Sequence, residues 1–365
     1  MLTVAAVTAG VLSAVPGAYA GDDRPAGFEP VVADQAAGAL AGNADVSTDV
    51  AMQRLATQDA RIEQGRRLLD RAGSDAAGFW LDQTAGTVVV NVTDEAAADG
   101  VRDAGATAKV VTHSSAALDA IRDRLTATQP VDTAVGIDVP ANQVVVQIGA
   151  KAPSGATLTG LTDAAAEYGS AVRVERLGTS FTTLIEGGYP IVGASGGRCS
   201  LGFSTTGNFG VTAGHCTAGI PEWWEGCCGG GYYGPSVAAS FPGNDFGLIR
   251  NDGGLPQGGT VYLYNGAYQD IVAAADPYPG LSVCKSGSTS GLTCGQVYQV
   301  NVTICYAEGC VGGLAQSDTY AAPGDSGGPW FNGGTGVGLT SGGGGGWTYF
   351  QPVVEALNAY GVWVF

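Results

Sequence analysis

Three side chains in the C-terminal half could together make a nucleophile. Ser326 lies in the run Pro323-Gly324-Asp325-Ser326-Gly327-Gly328-Pro329, and His215 lies in Val211-Thr212-Ala213-Gly214-His215-Cys216. A serine hydroxyl attacks poorly at neutral pH unless a neighbouring base takes its proton. Imidazole suits that task, because its ordinary pKa of about 6.5 sits close to working pH. A buried carboxylate must then fix the tautomer and stabilise the imidazolium. Of the six aspartates between His215 and Ser326, Asp245 stands out in Asn244-Asp245-Phe246-Gly247-Leu248-Ile249, against an apolar strand. A charge there is costly unless strongly hydrogen-bonded, as an imidazole N–H would provide. Asp252, Asp270 and Asp276 fall in loops bearing Gly or Pro and read as solvated. His113, the other histidine, stands alone beside a strand end and reads as a surface or capping residue.

Chain order narrows the chemistry. Gly324-Asp325-Ser326-Gly327-Gly328 fits the nucleophile elbow of the α/β-hydrolases, but that fold places its histidine after the serine, and none follows Ser326. The subtilisin order needs an aspartate before the histidine, and residues 185–214 hold none. His, then Asp, then Ser remains.

The elements that must position these residues change character along the chain. All eight cysteines lie after residue 198, whereas Arg198, Arg250 and Lys285 are the only basic residues after 184. Such a break in composition puts a domain boundary near 180–190. Residues 1–20 are apolar and small and end in Ala18-Tyr19-Ala20, which fits the core and cleavage site of a secretory signal. The missing basic n-region points to a start codon placed too late. An even number of cysteines independently favours an oxidising, extracellular compartment. Residues 21–50, rich in Ala, Gly and Asp, read as a flexible leader. From Val50 to Arg71 the spacing predicts one amphipathic helix. Strand-like and helical units then alternate to about 180 in an α+β segment without a catalytic constellation: TVVVNV, DEAAADGVRDAG, KVVT, SSAALDAIRDRL, NQVVVQI, LTDAAAEYG and AVRVERL. After 185, short β-rich runs broken by turn residues predict an all-β domain stapled by disulfides, with one helix near 352–360. A net charge of −17 makes nucleic acid or an anionic membrane a poor partner.

VTAGHC, NDFGLI and PGDSGGP, in that order, resemble the chymotrypsin-like serine proteases. RCSLGF, SFPGNDFGLIR, GLTSGG and YFQPVVEALNAYGV are similar to the bacterial streptogrisin and alpha-lytic protease branch. The similarity covers about 185–365 closely. Residues near 75–180, above all FWLDQTAGTVVVNVTDEAAADGVRDAGA, resemble the pro-region of that branch.

The resemblance implies two six-stranded antiparallel β-barrels with the triad His215, Asp245 and Ser326 in the cleft between them. The backbone N–H groups of Gly324 and Ser326 would form the oxyanion hole, and Ser341-Gly342-Gly343 would pair with an extended substrate. Asp325 would be buried against Lys285, which stands where the branch keeps an arginine. Cys199–Cys216 and Cys284–Cys294 match family bridges. The bridge beside the nucleophile is absent, with Tyr320 in place of one cysteine and a glycine run at 342–346 in place of the loop holding the other. Cys305 and Cys310 read as a hairpin staple, which leaves Cys227 and Cys228 to pair with each other or stay free. A zinc site built from these last four thiols is the weaker alternative.

The function expected is a secreted, monomeric serine endopeptidase that needs no cofactor or metal. It would be made as a precursor with signal peptide 1–20, pro-region 21–184 and protease domain 185–365. The pro-region would serve as folding assistant and inhibitor. The resemblance puts the mature start at Ile185; if the enzyme cuts its own precursor after Leu184, it accepts leucine at the P1 position, so large apolar or aromatic P1 residues are expected in protein or peptide substrates. Asp318, near the position where trypsins keep an acidic selector, leaves a basic P1 as the alternative, although solvent exposure is expected for it. A non-catalytic binding module and an esterase are the remaining rivals.

Overall fold

The computed structural model describes residues 25–178, 180–183, 189–226, 230–255 and 257–364. The expected signal segment, the Leu184–Ile185 bond, Cys227 and Cys228 lie outside the described residues.

Two β-barrels carry the C-terminal half. In the first, a sheet path begins at Phe203–Thr205 and runs through Phe209–Thr212, Phe246–Arg250, Tyr232–Ser240, Glu222–Glu225 and Tyr189–Gly193 to Arg198–Leu201. The two end strands are separated only by Gly202, whose N–H bonds Val211 O at 2.8 Å. They are therefore one bent strand, and the sheet closes on itself with six. In the second barrel Ser282–Gly287, Pro329–Asn332, Thr335–Gly344, Trp347–Pro352, Cys310–Ser317 and Gly291–Cys305 follow one another. The last also pairs with the first, closing a ring of six. The helix Val353–Tyr360 follows, buried through Val353, Ala356 and Leu357.

The N-terminal half forms two groups of three strands, each with helices. Ala76–Asp82, Thr87–Val92 and Thr107–Val110 make one, covered by Gln58–Ala72 and Glu95–Asp103, the latter capped by the Asp94 carboxylate on Ala96 N and Ala97 N. Thr133–Asp138, Gln143–Ile148 and Val172–Arg176 make the other, backed by Ser115–Thr126 and Ala156–Glu167. This second group is not a separate sheet. Thr133–Asp138 pairs antiparallel with Gly291–Cys305, so the three strands extend the second barrel. The strand tolerates a glycine at Gly136 because a Cβ there would meet Gln299 Oε1 at 2.4 Å.

Two expectations need correction. The predicted leader is helical over Pro30–Ala44, and Val32, Ala33, Ala36, Ala37 and Leu40 are buried against the body of the protein. Alanine gives this helix high propensity with little apolar contrast, so its buried face left no strong periodic trace. The single helix expected from Val50 to Arg71 is two, Thr48–Ala56 and Gln58–Ala72. They are broken at Thr57, whose hydroxyl bonds back to Gln53 O at 3.0 Å. Gln58 is buried, and its Oε1 accepts the Ser282 N–H at 2.8 Å, tying the second helix to the barrel.

Candidate active site

The apolar strand Phe209–Thr212 delivers the chain to Ala213 and the short helix Gly214–Thr217, which carries His215. A Cβ on Gly214 would lie 2.4 Å from Ser240 O and 2.8 Å from Phe246 N, so only glycine lets this turn abut the next strand. Asp245 immediately precedes that strand, which pairs with Phe209–Thr212 in register Thr212↔Gly247. The two side chains consequently meet. His215 Nδ1 lies 3.0 and 2.8 Å from the Asp245 oxygens, and the His215 N–H donates to Oδ1 at 2.9 Å. Asp245 is fully buried, and its Oδ2 also accepts the Ser341 hydroxyl at 2.6 Å. Its own N–H donates to Gln351 Oε1 at 2.9 Å. A carboxylate removed from water is tolerated here because several donors converge on it.

The serine loop reaches the same place by backbone contact. Ser200 N donates to Ser326 O at 2.8 Å, and Gly327 N to Thr340 O at 2.8 Å. Gly327 has φ +76, and a Cβ there would stand 2.1 Å from Thr212 Oγ1 and 2.8 Å from Ala213 N. The residue after Ser326 is thus flush against the residues leading into His215. Cys199, next to Ser200, is bonded to Cys216, next to His215, at a sequence separation of 17. Ser326 is fully buried, and its Oγ has no hydrogen-bond partner among the described residues. The N–H groups of Gly324 and Ser326 likewise donate to nothing among the described residues. Gly324 has φ +123, a conformation suited to glycine.

Beneath the loop, Lys285 Nζ lies 2.8 Å from Asp325 Oδ2, with both side chains fully buried. Burial alone would raise the Asp325 carboxyl, but the Lys285 charge and hydrogen bonds from Lys285, Ser290 and Ala322 N hold it below the ordinary range. Burial lowers the Lys285 ammonium against the opposing pull of Asp325. Ser290 bridges the two, accepting from Lys285 and donating to Asp325. Sequence reasoning missed Ser290, as it did Gln351 and the side-chain role of Ser341. None of the three carries a motif, and each acts through a partner far away in the chain.

Ser341, Gly342 and Gly343 lie on Thr335–Gly344. There the short strand Thr182–Thr183 pairs antiparallel, Gly342 opposite Thr183 and Gly343 opposite Thr182. An extended segment of the chain's own N-terminal half therefore occupies this strand edge. Cys284–Cys294 and Cys305–Cys310 are bonded. Cys199 and Cys216 approach His215 closely, but their sulfurs are engaged with each other, so the cluster is no metal site. Asp318 departs from the expectation of solvent exposure. It is half-buried, with Oδ1 accepting Gln296 N at 2.7 Å and Oδ2 accepting Asn43 Nδ2 at 2.8 Å and Tyr298 OH at 3.3 Å. His113 makes backbone hydrogen bonds with the Asn142 amide.

Comparison with known proteins adds independent findings. The family model for the alpha-lytic protease pro N-terminal region matches residues 49–111. Streptogrisin-D of Streptomyces griseus is 41% identical over 344 residues, covering 91% of this chain and 87% of that protein. Serine protease 1 of Streptomyces fradiae is 41% identical over 302 residues, 80% of this chain and 84% of that protein. Glutamyl endopeptidase 2 of Streptomyces griseus is 43% identical over 187 residues, 49% of this chain and 98% of that protein.

Proposed function

The chain belongs to the streptogrisin and alpha-lytic protease family of chymotrypsin-like serine proteases, and from that premise we propose a secreted, self-processing endopeptidase whose triad is His215, Asp245 and Ser326. Ser326 Oγ attacks the scissile carbonyl as His215 takes its proton. Asp245 holds the imidazole by Nδ1 and stabilises its positive charge. The oxyanion is received by the N–H groups of Gly324 and Ser326. His215 then protonates the leaving amine, and water repeats the sequence on the acyl-enzyme. The observation that carries the reading is the Asp245–His215 hydrogen bond together with the packing of Gly327, next to Ser326, against Thr212 and Ala213, which lead into His215.

Residues 21–184 act as pro-region and residues 185–365 as protease. Pairing of Thr182–Thr183 along Gly342–Gly343 supports inhibition by the pro-region's own end, lying as a substrate would. Counting on from Thr183 makes Leu184 the P1 residue and Ile185 the new N-terminus. A large apolar or aromatic P1 is favoured over a charged one. The stretches that the resemblance places along the P1 pocket, about 319–323, 340–343 and 347–349, hold no Lys, Arg or His to receive a glutamate. For a basic residue, Asp325 is committed to Lys285, and Asp318 is held by Gln296 N and Tyr298.

The test is fluorophosphonate labelling of the processed enzyme together with chromogenic peptides ending in Phe, Leu or Arg. A single adduct on Ser326, lost in Ser326→Ala, with Phe and Leu cleaved faster than Arg, is expected. Failure to label overturns the triad, and faster Arg hydrolysis overturns the P1 assignment.

A further inference from the structure

Phe181 belongs to an extended arm, yet only 4% of it is exposed. Its ring enters a cluster with Val302, Ile304, Tyr306, Val311, Leu314 and Tyr349, meeting Tyr349 edge-on at 5.9 Å between centroids. Ala134 and Leu177 are the cluster's other contributors from the N-terminal half; the remaining walls come from the protease half and stay when the pro-region leaves. Those walls are fixed. The Cys305–Cys310 bridge flanks Tyr306, whose hydroxyl lies 3.2 Å from Ser341 Oγ. Phe241, packed against the same cluster, faces the His215 ring at 5.9 Å. The glycine run contributes directly. A Cβ on Gly344 would lie 3.0 Å from Phe181 Cα, 3.1 Å from its Cδ1 and 2.6 Å from Ser180 O. A side chain at 344 would crowd the arm out of its seat.

We infer that this cluster is a specificity pocket for an aromatic side chain at P4, three residues before the residue whose peptide bond is cut. The assignment rests on the proposed triad and on cleavage after Leu184, which together make Thr183, Thr182 and Phe181 the P2, P3 and P4 residues. Gly344, within the run 342–346 where the resembling proteases carry a cysteine-bearing loop, serves to open the pocket. Selection is by apolar burial rather than charge, so a substrate with Phe at P4 gains what a buried phenyl gains over a methyl, about 10- to 100-fold in kcat/KM.

The experiment uses enzyme matured from the full-length precursor and the p-nitroanilides of Phe-Thr-Thr-Leu and Ala-Thr-Thr-Leu. The phenylalanine peptide is expected to be cleaved about 10- to 100-fold more efficiently. Gly344→Val, verified as folded by fluorophosphonate labelling, is expected to bring the ratio near one. Equal rates for the two peptides on labelled wild-type enzyme, or an undiminished ratio in labelled Gly344→Val, overturn the pocket and leave the protease assignment standing. Absence of both labelling and hydrolysis overturns the protease assignment itself.

Discussion

Replacing Lys285 by methionine keeps the length and apolar stem of the side chain and removes its charge. Asp325 is then left fully buried, with hydrogen bonds from Ser290 and from Ala322 N but no countercharge. Breaking one side of a buried pair costs about 3–5 kcal/mol, a large share of the stability of a single domain. The damage falls on function as well, because Asp325 shapes the turn between Ala322 and Ser326 through Ala322 N and Asp325 N→Ala322 O. Loss of an oxyanion donor costs about 10²–10³ in kcat, and a turn relaxed around a protonated Asp325 should approach that. The dependence on pH gives the sharper signature. In the wild type the carboxyl is held below its ordinary value, so the contribution of the pair is complete above about pH 4 and fades as pH falls through the folded value. In Lys285→Met the lone buried carboxyl is instead pushed up, so the deficit against wild type is greatest at neutral pH and shrinks on acidification. The assay is thermal unfolding and kcat of the processed enzyme between pH 4 and 8, with the double variant Lys285→Met/Asp325→Asn beside it. The double variant should recover most of the lost stability. A single variant with unchanged Tm and turnover, or one whose deficit deepens in acid, refutes the reasoning.

Asp245→Asn should lower kcat by about 10⁴ while leaving peptide binding nearly unchanged, as amides do in place of this carboxylate in serine proteases; steady-state kinetics checks it. Ser341→Ala removes a hydrogen bond to a buried charge, worth about 1.5–3 kcal/mol. A fall of about tenfold or more in kcat/KM is expected, against little change if Ser341 acts only through its backbone. Replacing Cys199 and Cys216 by serine should lower unfolding free energy by about 3 kcal/mol, read from the denaturant midpoint. Expressing 185–365 alone should yield little active enzyme, and supplying 21–184 should restore it. A pro-region lacking 25–44 should inhibit more weakly, because Gln269 Nε2 and Oε1 then lose Gly27 O and Glu29 N.

The residues that do the proposed chemistry were legible because reaction geometry constrains type, spacing and order at once. A glycine-flanked serine, a histidine after an apolar strand and an aspartate before one each leave a local trace. The partners that hold them in place leave none. Ser341, Gln351 and Ser290 are ordinary polar residues whose roles arise when distant strands close a barrel. The same limit hid Pro30–Ala44, since a face built of alanine resembles composition rather than pattern. The strands Ala76–Asp82 and Thr133–Asp138 also went unread, each interrupted by a glycine whose missing side chain makes room for a neighbour: Val139 at Gly78 and Gln299 at Gly136. Asp318 was misjudged because a side chain's solvation depends on what folds over it.

Removal of the N-terminal half would uncover Thr303, Ile304 and Cys305, now matched with Val135, Ala134 and Thr133. Bare ladder groups invite another chain to zip on. Here the invitation is brief. Asn301, at φ +58, bends the strand just before that stretch, and the Cys305–Cys310 link reverses the chain just after it. A liberated protease would therefore offer strangers a margin three residues long, too short to template fibres.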